Sequence, residues 1–395
     1  MNSADENTEW RVGPLTANDY LEARENLQDV IIVPFDKNKA KGTGYNLSPT
    51  TLIYSVNKKK LVKVHQNDKE IYVWVEPNDT VLTISKEYII TEENVVGTFH
   101  SRVRMSADGL GNVSTTLDPN WKGQLLFAIN NPTKRRIKLR IEEKSEGKAK
   151  SIGLVTMVLS WTGTKGAKSS EASLHLDNPP MRTDIWKDLS ERPAGINGTQ
   201  YEKFQAIIQR VTEFKAQNNE RHSELQKLID IINEVRKSIT RGDALHQIQS
   251  LTVGLEESLL QKEGDTELKK KFKAWNDIIK STQSPDTLRE EKFNEEEERL
   301  IRECRYLMMC DEVEQHNRYI NQQIDQYWEG NGLTRTLKKW ILPNLSAAVA
   351  FFIILALLLW ENEYSTTEKV ILAMVTPLVT MIVQWVNAKW GKKST

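Results

Sequence analysis

Cysteine is nearly absent: Cys304 and Cys310 are the only two in 395 residues, six apart in a helical stretch with no further ligand pair beside them. A zinc site and a disulfide framework are thereby excluded, and the two read as small core residues in a reducing compartment. An excess of charge is also lacking. The 54 Lys and Arg balance 54 Asp and Glu, so no global field draws the chain to nucleic acid, which is not expected as a partner. Met1 to Trp10 are polar and acidic, without a basic segment ahead of an apolar one, so no secretory signal is expected and the N-terminus is placed in the cytoplasm. No phosphate-cradling glycine loop, nucleophile elbow or spaced ligand set occurs, and no protein-held metal is expected. His65, His100 and His175 lack metal-ligand spacing.

The residues that are present predict a multidomain chain. Residues 1–162 carry strand signals: Thr51 to Val56, Ile71 to Val75, Val81 to Ser85, Gln124 to Ile129, Ile137 to Ile141 and Leu154 to Trp161 are rich in β-branched and aromatic residues. Asn, Asp, Gly and Pro clusters separate them, the pattern of an all-β barrel or sandwich. One short helix is expected behind the polar cap at Leu15 to Tyr20. Residues 163–199 are rich in Gly, Ser, Lys and Pro and read as a linker. Residues 200–335 are helical. There Phe204, Ile207, Val211, Phe214, Asn218, Arg221, Leu225, Leu228, Ile232, Val235 and Ile239 recur at steps of three and four. Such a seam serves either a coiled coil between chains or a helical hairpin folded on itself. A second amphipathic helix is expected from Glu291 to Tyr327, ending at Gly330-Asn331-Gly332.

Residues 336–395 hold two apolar runs, Ile341 to Trp360 (twenty residues) and Val370 to Ala388 (nineteen), nine residues apart. Each is long enough to cross a hydrocarbon layer of ~30 Å. The expectation is a two-span hairpin in the inner membrane, with Lys338, Lys339, Lys389, Lys392 and Lys393 holding both termini in the cytoplasm. Trp340, Trp360, Trp385 and Trp390 fall near the expected interfaces. Thr376, Thr380, Gln384 and Asn387 share one face of the second span, either as hydrogen-bonding contacts between helices or as the lining of a water-filled path.

A series of motifs runs in order through residues 15 to about 160. Leu15 to Tyr20 is followed by Val33-Pro34-Phe35, then Gly44-Tyr45-Asn46-Leu47, Glu76-Pro77-Asn78-Asp79, Ser101-Arg102-Val103-Arg104-Met105-Ser106-Ala107-Asp108-Gly109-Leu110, and Leu117-Asp118-Pro119-Asn120-Trp121-Lys122-Gly123. In this order they resemble the dCTP deaminase and dUTPase family, whose corresponding elements read S-Y-D-L, h-P-G-E, G-R-S-S-L-A-R-x-G-L and I-D-P-x-W-x-G. The resemblance covers under half of the chain and implies a dUTPase-like β domain, nucleotide ligands and a homotrimer with sites between subunits.

The same resemblance implies altered chemistry. The family's water-activating glutamate, on the strand after W-x-G, falls on Ala128, which cannot accept a proton. The motif's first serine and second arginine fall on Val103 and Ala107. Nucleotide-binding candidates that remain are Arg102, Arg104, Ser106, Asp118 and Trp121. From the layout of the whole chain the expected function is nucleotide binding or sensing that controls an oligomeric, pore-like membrane effector, with antiviral defence as its setting, and the resemblance adds that deaminase activity is lost. The rival is a membrane-tethered dUTPase-like pyrophosphatase, in which Asp118 positions water against a triphosphate that carries magnesium.

Overall fold

The computed structural model describes residues 11–113, 115–145, 148–163, 182–191, 198–217, 219–252, 266–282, 288 and 291–329. The chain divides into units Met1–Ile324 and Asp325–Thr395, and of the second only the last turns of one helix are described.

Helix α1 (Ala17–Asn26) forms where the polar cap predicts it. Thr16 Oγ1 accepts from the Asp19 N–H, and Asp19 Oδ2 accepts from the Thr16 N–H at 2.7 Å, a reciprocal capping box. Three antiparallel sheets follow. The first orders β12 (Thr116–Leu117), β10 (Val95–Ser101), β16 (Val155–Thr162), β4 (Gly44–Leu47) and β3 (Ala40–Lys41), with β1 (Val12–Pro14) also on β16. The second orders β11 (Gly111–Val113), β13 (Lys122–Asn131), β9 (Asp79–Thr91), β5 (Pro49–Ser55) and β6 (Lys60–Leu61), with β2 (Val30–Val33) also on β9. The third orders β15 (Lys148–Ser151), β14 (Ile137–Ser145), β8 (Glu70–Val75) and β7 (His65–Gln66). No sheet closes on itself, which corrects the barrel expectation. Their edges are strands of two to four residues, too short to bridge from one sheet to the next. Alternation places the core: on β16, Val155, Met157, Leu159 and Trp161 are buried while the residues between them reach outward.

Helix α2 (Val103–Ala107) interrupts the strands, and α3 (Thr183–Glu191) stands inside the stretch expected as a linker. Its Trp186 is fully buried and meets Tyr54 of β5 edge-on at 6.4 Å, while Phe204 stacks on the same ring at 5.0 Å. That segment therefore carries core, because a large aromatic ring outweighs the turn-forming residues around it.

Helices α4 (Gly198–Thr212), α5 (Glu220–Arg241), α6 (Leu245–Thr252), α7 (Thr266–Ser281) and α8 (Glu291–Glu329) complete the described chain. The α5 part of the seam, Leu225, Leu228, Ile232, Val235 and Ile239, is buried in one cluster with Ile248, Phe272, Trp275, Phe293 and Leu300. Helices of the same chain pack against this stretch. Phe214 stacks on Tyr319 and His316, Arg221 pairs with Asp311 at 3.1 Å, and Asn218 lies outside the described residues. Cys304 is buried and Cys310 half-buried, and burial pushes the Cys310 thiol up to about 11, out of thiolate range at neutral pH.

The long α8 also docks on the β domain. Tyr306 Oη donates to the Ile32 carbonyl at 3.2 Å and accepts from the Phe35 N–H at 3.0 Å. Asn317 Nδ2 donates to the Lys86 carbonyl at 2.8 Å, and Thr51 Oγ1 donates to Asn321 Oδ1 at 2.5 Å.

The membrane expectation is corrected. Among the described residues no helix is long and apolar enough to cross a membrane. The runs Ile341 to Trp360 and Val370 to Ala388, with Thr376, Thr380, Gln384 and Asn387, lie outside the described residues. A bilayer partner, an inner-membrane location, a pore-like effector and an antiviral setting thus receive no support from the fold.

Candidate functional site

The candidate residues fall in two places along β10. At its C-terminal end Ser101 Oγ accepts from the Asn112 N–H at 2.7 Å, which ties the strand to β11. Arg102 follows as the N-cap of α2, and its guanidinium donates to the Gly153 carbonyl beside β16. A half-buried Arg102 is thus fixed by main chain, with its remaining N–H groups unassigned to any partner in that contact. Arg104 and Ser106 are exposed on α2, and Arg104 lies 3.7 Å from Asp108, a loose i,i+4 pair that leaves the cation accessible. Val103, where the family carries serine, is 86% exposed and offers no hydroxyl.

The second place is the turn from β12 into β13. Asp118 is exposed. Asn120 takes the left-handed conformation (φ 59°), and its N–H donates to the Glu92 carbonyl at 3.2 Å. The Trp121 N–H donates to Thr91 Oγ1 at 3.0 Å, and its indole N–H turns back to the Gly123 carbonyl at 3.1 Å. Gly123 sits at φ 156° beneath that ring, with an added Cβ 3.6 Å from the indole nitrogen. The turn is therefore held rigid on β9 while Asp118 stays free to face a ligand.

Register separates these two places. Gly97 on β10 pairs with Leu117 on β12, so Asp118 leaves the sheet level with Val96, six residues short of Arg102. At the strand rise that is about 20 Å. One chain does not bring Arg102 and Asp118 together.

Ala128 sits on β13 between Val113 of β11 and Leu82 of β9, so the position expected to match the family's glutamate has apolar cross-strand neighbours. Four residues earlier, buried Gln124 donates to the Ser85 carbonyl at 2.7 Å and to Asn317 Oδ1 of α8 at 3.1 Å. The site strand is thereby bonded to the helical region. Sequence reading missed Gln124, whose signal is a polar residue inside a buried run.

It also missed Arg182, just before α3. Its guanidinium grips Asp184 at 2.6 Å, a contact that raises the arginine pKa, and the charge of Asp118 adds to the effect. Asp118 thus lies within the electrostatic reach of a cation from beyond the β domain. The signal available was Arg182-Thr183-Asp184, a charge pair astride a helix start. His100 is exposed, and its Nε2 shares a 2.8 Å hydrogen bond with Thr98 Oγ1, away from any cluster of ligands. Among the described residues no group of three His, Cys, Asp or Glu is arranged to hold a metal ion.

No protein-family model matches the chain. In sequence it is similar to the dCTP deaminase of Pyrococcus abyssi, 23% identical over 117 residues, which are 30% of this chain and 73% of the relative. The dCTP deaminase of Pyrococcus furiosus is 26% identical over 117 residues, 30% of this chain and 72% of the relative. Among solved structures, the 2'-deoxycytidine 5'-triphosphate deaminase of Agrobacterium tumefaciens matches 38% of this chain at a TM-score of 0.30 and 10% identity. This chain spans about half of that structure, 48%. The dUTPase of Staphylococcus aureus phage phi11 matches 36% of this chain and 96% of its own at a TM-score of 0.23 and 16% identity. In sequence the chain is thus dCTP deaminase-like over 30% of its length, and a helical region follows the β-rich domain.

Proposed function

We propose that the N-terminal domain binds a pyrimidine deoxynucleoside triphosphate between copies of a homotrimer and holds it without deaminating it. The observation that carries this reading is Ala128, a methyl group between Val113 and Leu82 where water would have to give up a proton. The relatives in sequence are named for dCTP deamination, and the positions that would meet the phosphates keep Arg102 and gain Arg104. Their separation from Asp118 supports a site completed by a second copy, with Arg102 and Arg104 from one chain and Asp118 and Trp121 from the next. Magnesium fits this arrangement only as a passenger: the candidate residues supply one carboxylate, Asp118, so the ion would be held mainly by the nucleotide's own phosphates.

The test is calorimetry on the full chain with dCTP and dUTP in the presence of magnesium, with ammonia and pyrophosphate assayed in the same samples. Heat of binding that Arg102→Gln abolishes, with neither product formed, is the expected result. Ammonia release would overturn the reading, and so would the absence of heat with every nucleotide. Pyrophosphate release lost in Asp118→Asn would instead make the domain a pyrophosphatase.

A further inference from the structure

The third sheet has an outer face that the nucleotide site does not use. On β8, Val73 and Val75 are fully buried, so alternation turns Tyr72 and Trp74 outward, where both are half-exposed. His65 on β7 pairs in register with Tyr72 and stacks on it, ring centroids 5.3 Å apart and 16° from parallel. Tyr72 in turn meets Trp74 edge-on at 5.8 Å. The neighbouring strand β14 sets Arg140 opposite Tyr72 and Lys138 opposite Trp74. Lys138 Nζ stands 4.4 Å from the Tyr72 ring centre, and the Arg136 guanidinium 4.6 Å from that of Trp74.

Charge on this face is unbalanced although the whole chain is neutral. Lys58, Lys63, Arg136, Lys138 and Arg140 are set against three carboxylates: Glu70 pairs with Lys138, Glu76 with Lys58 and Arg136, and exposed Glu143 stands opposite Glu70, while the charge of Lys63 acts on His65. Five cations less three anions leave a local excess of two. Rows of flat rings flanked by cations are poor surfaces to leave to water, and poor matches for an aliphatic partner. They suit a ligand that alternates flat π-systems with negative charge.

We propose that this face binds single-stranded nucleic acid, with bases stacked on His65, Tyr72 and Trp74 and phosphates against Arg136, Lys138 and Arg140. A duplex is a poorer fit, because paired bases hide the faces the rings would stack on. The neutral total charge is no obstacle, since a patch acts over about a Debye length of ~10 Å.

Fluorescence anisotropy of the full chain with a labelled oligothymidine of about twenty nucleotides tests it. Tight binding at low salt is expected, weakening as salt rises, with duplex of the same length bound less well. Tyr72→Ala and Trp74→Ala should each weaken binding about tenfold, and Tyr72→Phe should not. Arg140→Gln, a variant that keeps the rings and the core, should lower the salt slope by about one. Equal affinity in the alanine variants would overturn the proposal, as would displacement by polyglutamate at the same charge concentration. A change of oligomeric state in Tyr72→Ala would overturn it too, by assigning the face to a second copy of the chain.

Discussion

Arg24 of α1 grips Glu303 of α8 with both guanidinium nitrogens, at 2.9 and 2.7 Å, and Lys271 of α7 reaches the same carboxylate at 3.0 Å. The β domain and two helices thus share one buried anion. Burial alone would push the Glu303 carboxyl up, but Arg24 and Lys271 outweigh it and hold it below the usual range. Glu303→Gln should cost about 3–5 kcal/mol in chemical denaturation, because it leaves two cations without their counter-charge. Glu303 has a depressed folded pKa, so its contribution is complete above the ordinary carboxylate range and is lost as pH falls through the folded value. The gap between wild type and Glu303→Gln should therefore narrow as pH is lowered from about 7 to about 3.

Glu297, six residues before Glu303 on α8, should behave in the opposite way. Burial raises its pKa, and the charge and hydrogen bond of half-exposed Arg236 only partly offset this. Its Oε2 is buried without a hydrogen-bond partner. A raised carboxyl pKa means the folded state holds the proton more tightly, so stability is lost as pH rises through the folded value. Glu297→Gln keeps an acceptor for Arg236 and removes the buried charge. It should change stability by less than about 1 kcal/mol at neutral pH, and flatten the loss that the wild type shows as pH rises.

Gly109 closes α2 at φ 94°, where an added Cβ would meet Thr133 Cγ2 at 3.1 Å and Ile137 Cδ1 at 3.2 Å. Gly42, at φ 52°, has open space around the same position. Both alanine variants carry backbone strain, but only Gly109→Ala adds crowding. It should cost about 1–3 kcal/mol and exceed Gly42→Ala in the same denaturation series. Equal losses would show that the contacts relax and that the conformation alone matters.

These contrasts mark what the residue order reveals. Thr16 and Asp19 spell out a capping box within four residues, and the alternation of Val155 to Trp161 gives β16 its inner face, because both signals are local. Closure of the sheets is not local, since alternation marks strands without saying which edges meet. Trp186 was hidden among turn-forming residues, although one large ring is enough to anchor α3 on Tyr54. The Arg24–Glu303 pair joins residues 279 apart in sequence, and the α8 periodicity cannot name the partner of each face. Ala128 is legible by position along one strand. The distance from Arg102 to Asp118 depends on the pairing of β10 with β12, which no motif states.

That distance makes the shared-site reading testable by complementation. If Arg102 of one copy and Asp118 of the next complete each site, Arg102→Gln and Asp118→Asn each remove half of every site in their own homotrimers. The two variant chains can be co-expressed in equal amounts and the trimers purified through one tag that both chains carry, so that no composition is selected. An intact site then needs an Asp118→Asn chain to supply Arg102 and an Arg102→Gln chain to supply Asp118. With random assortment about a quarter of the sites meet that condition. Calorimetry on the unselected mixture should therefore recover about a quarter of the wild-type stoichiometry at close to wild-type affinity, while each variant alone binds nothing. Were the two residues to serve one site within a single chain, every site in the mixture would still lack one of them, and no binding would return.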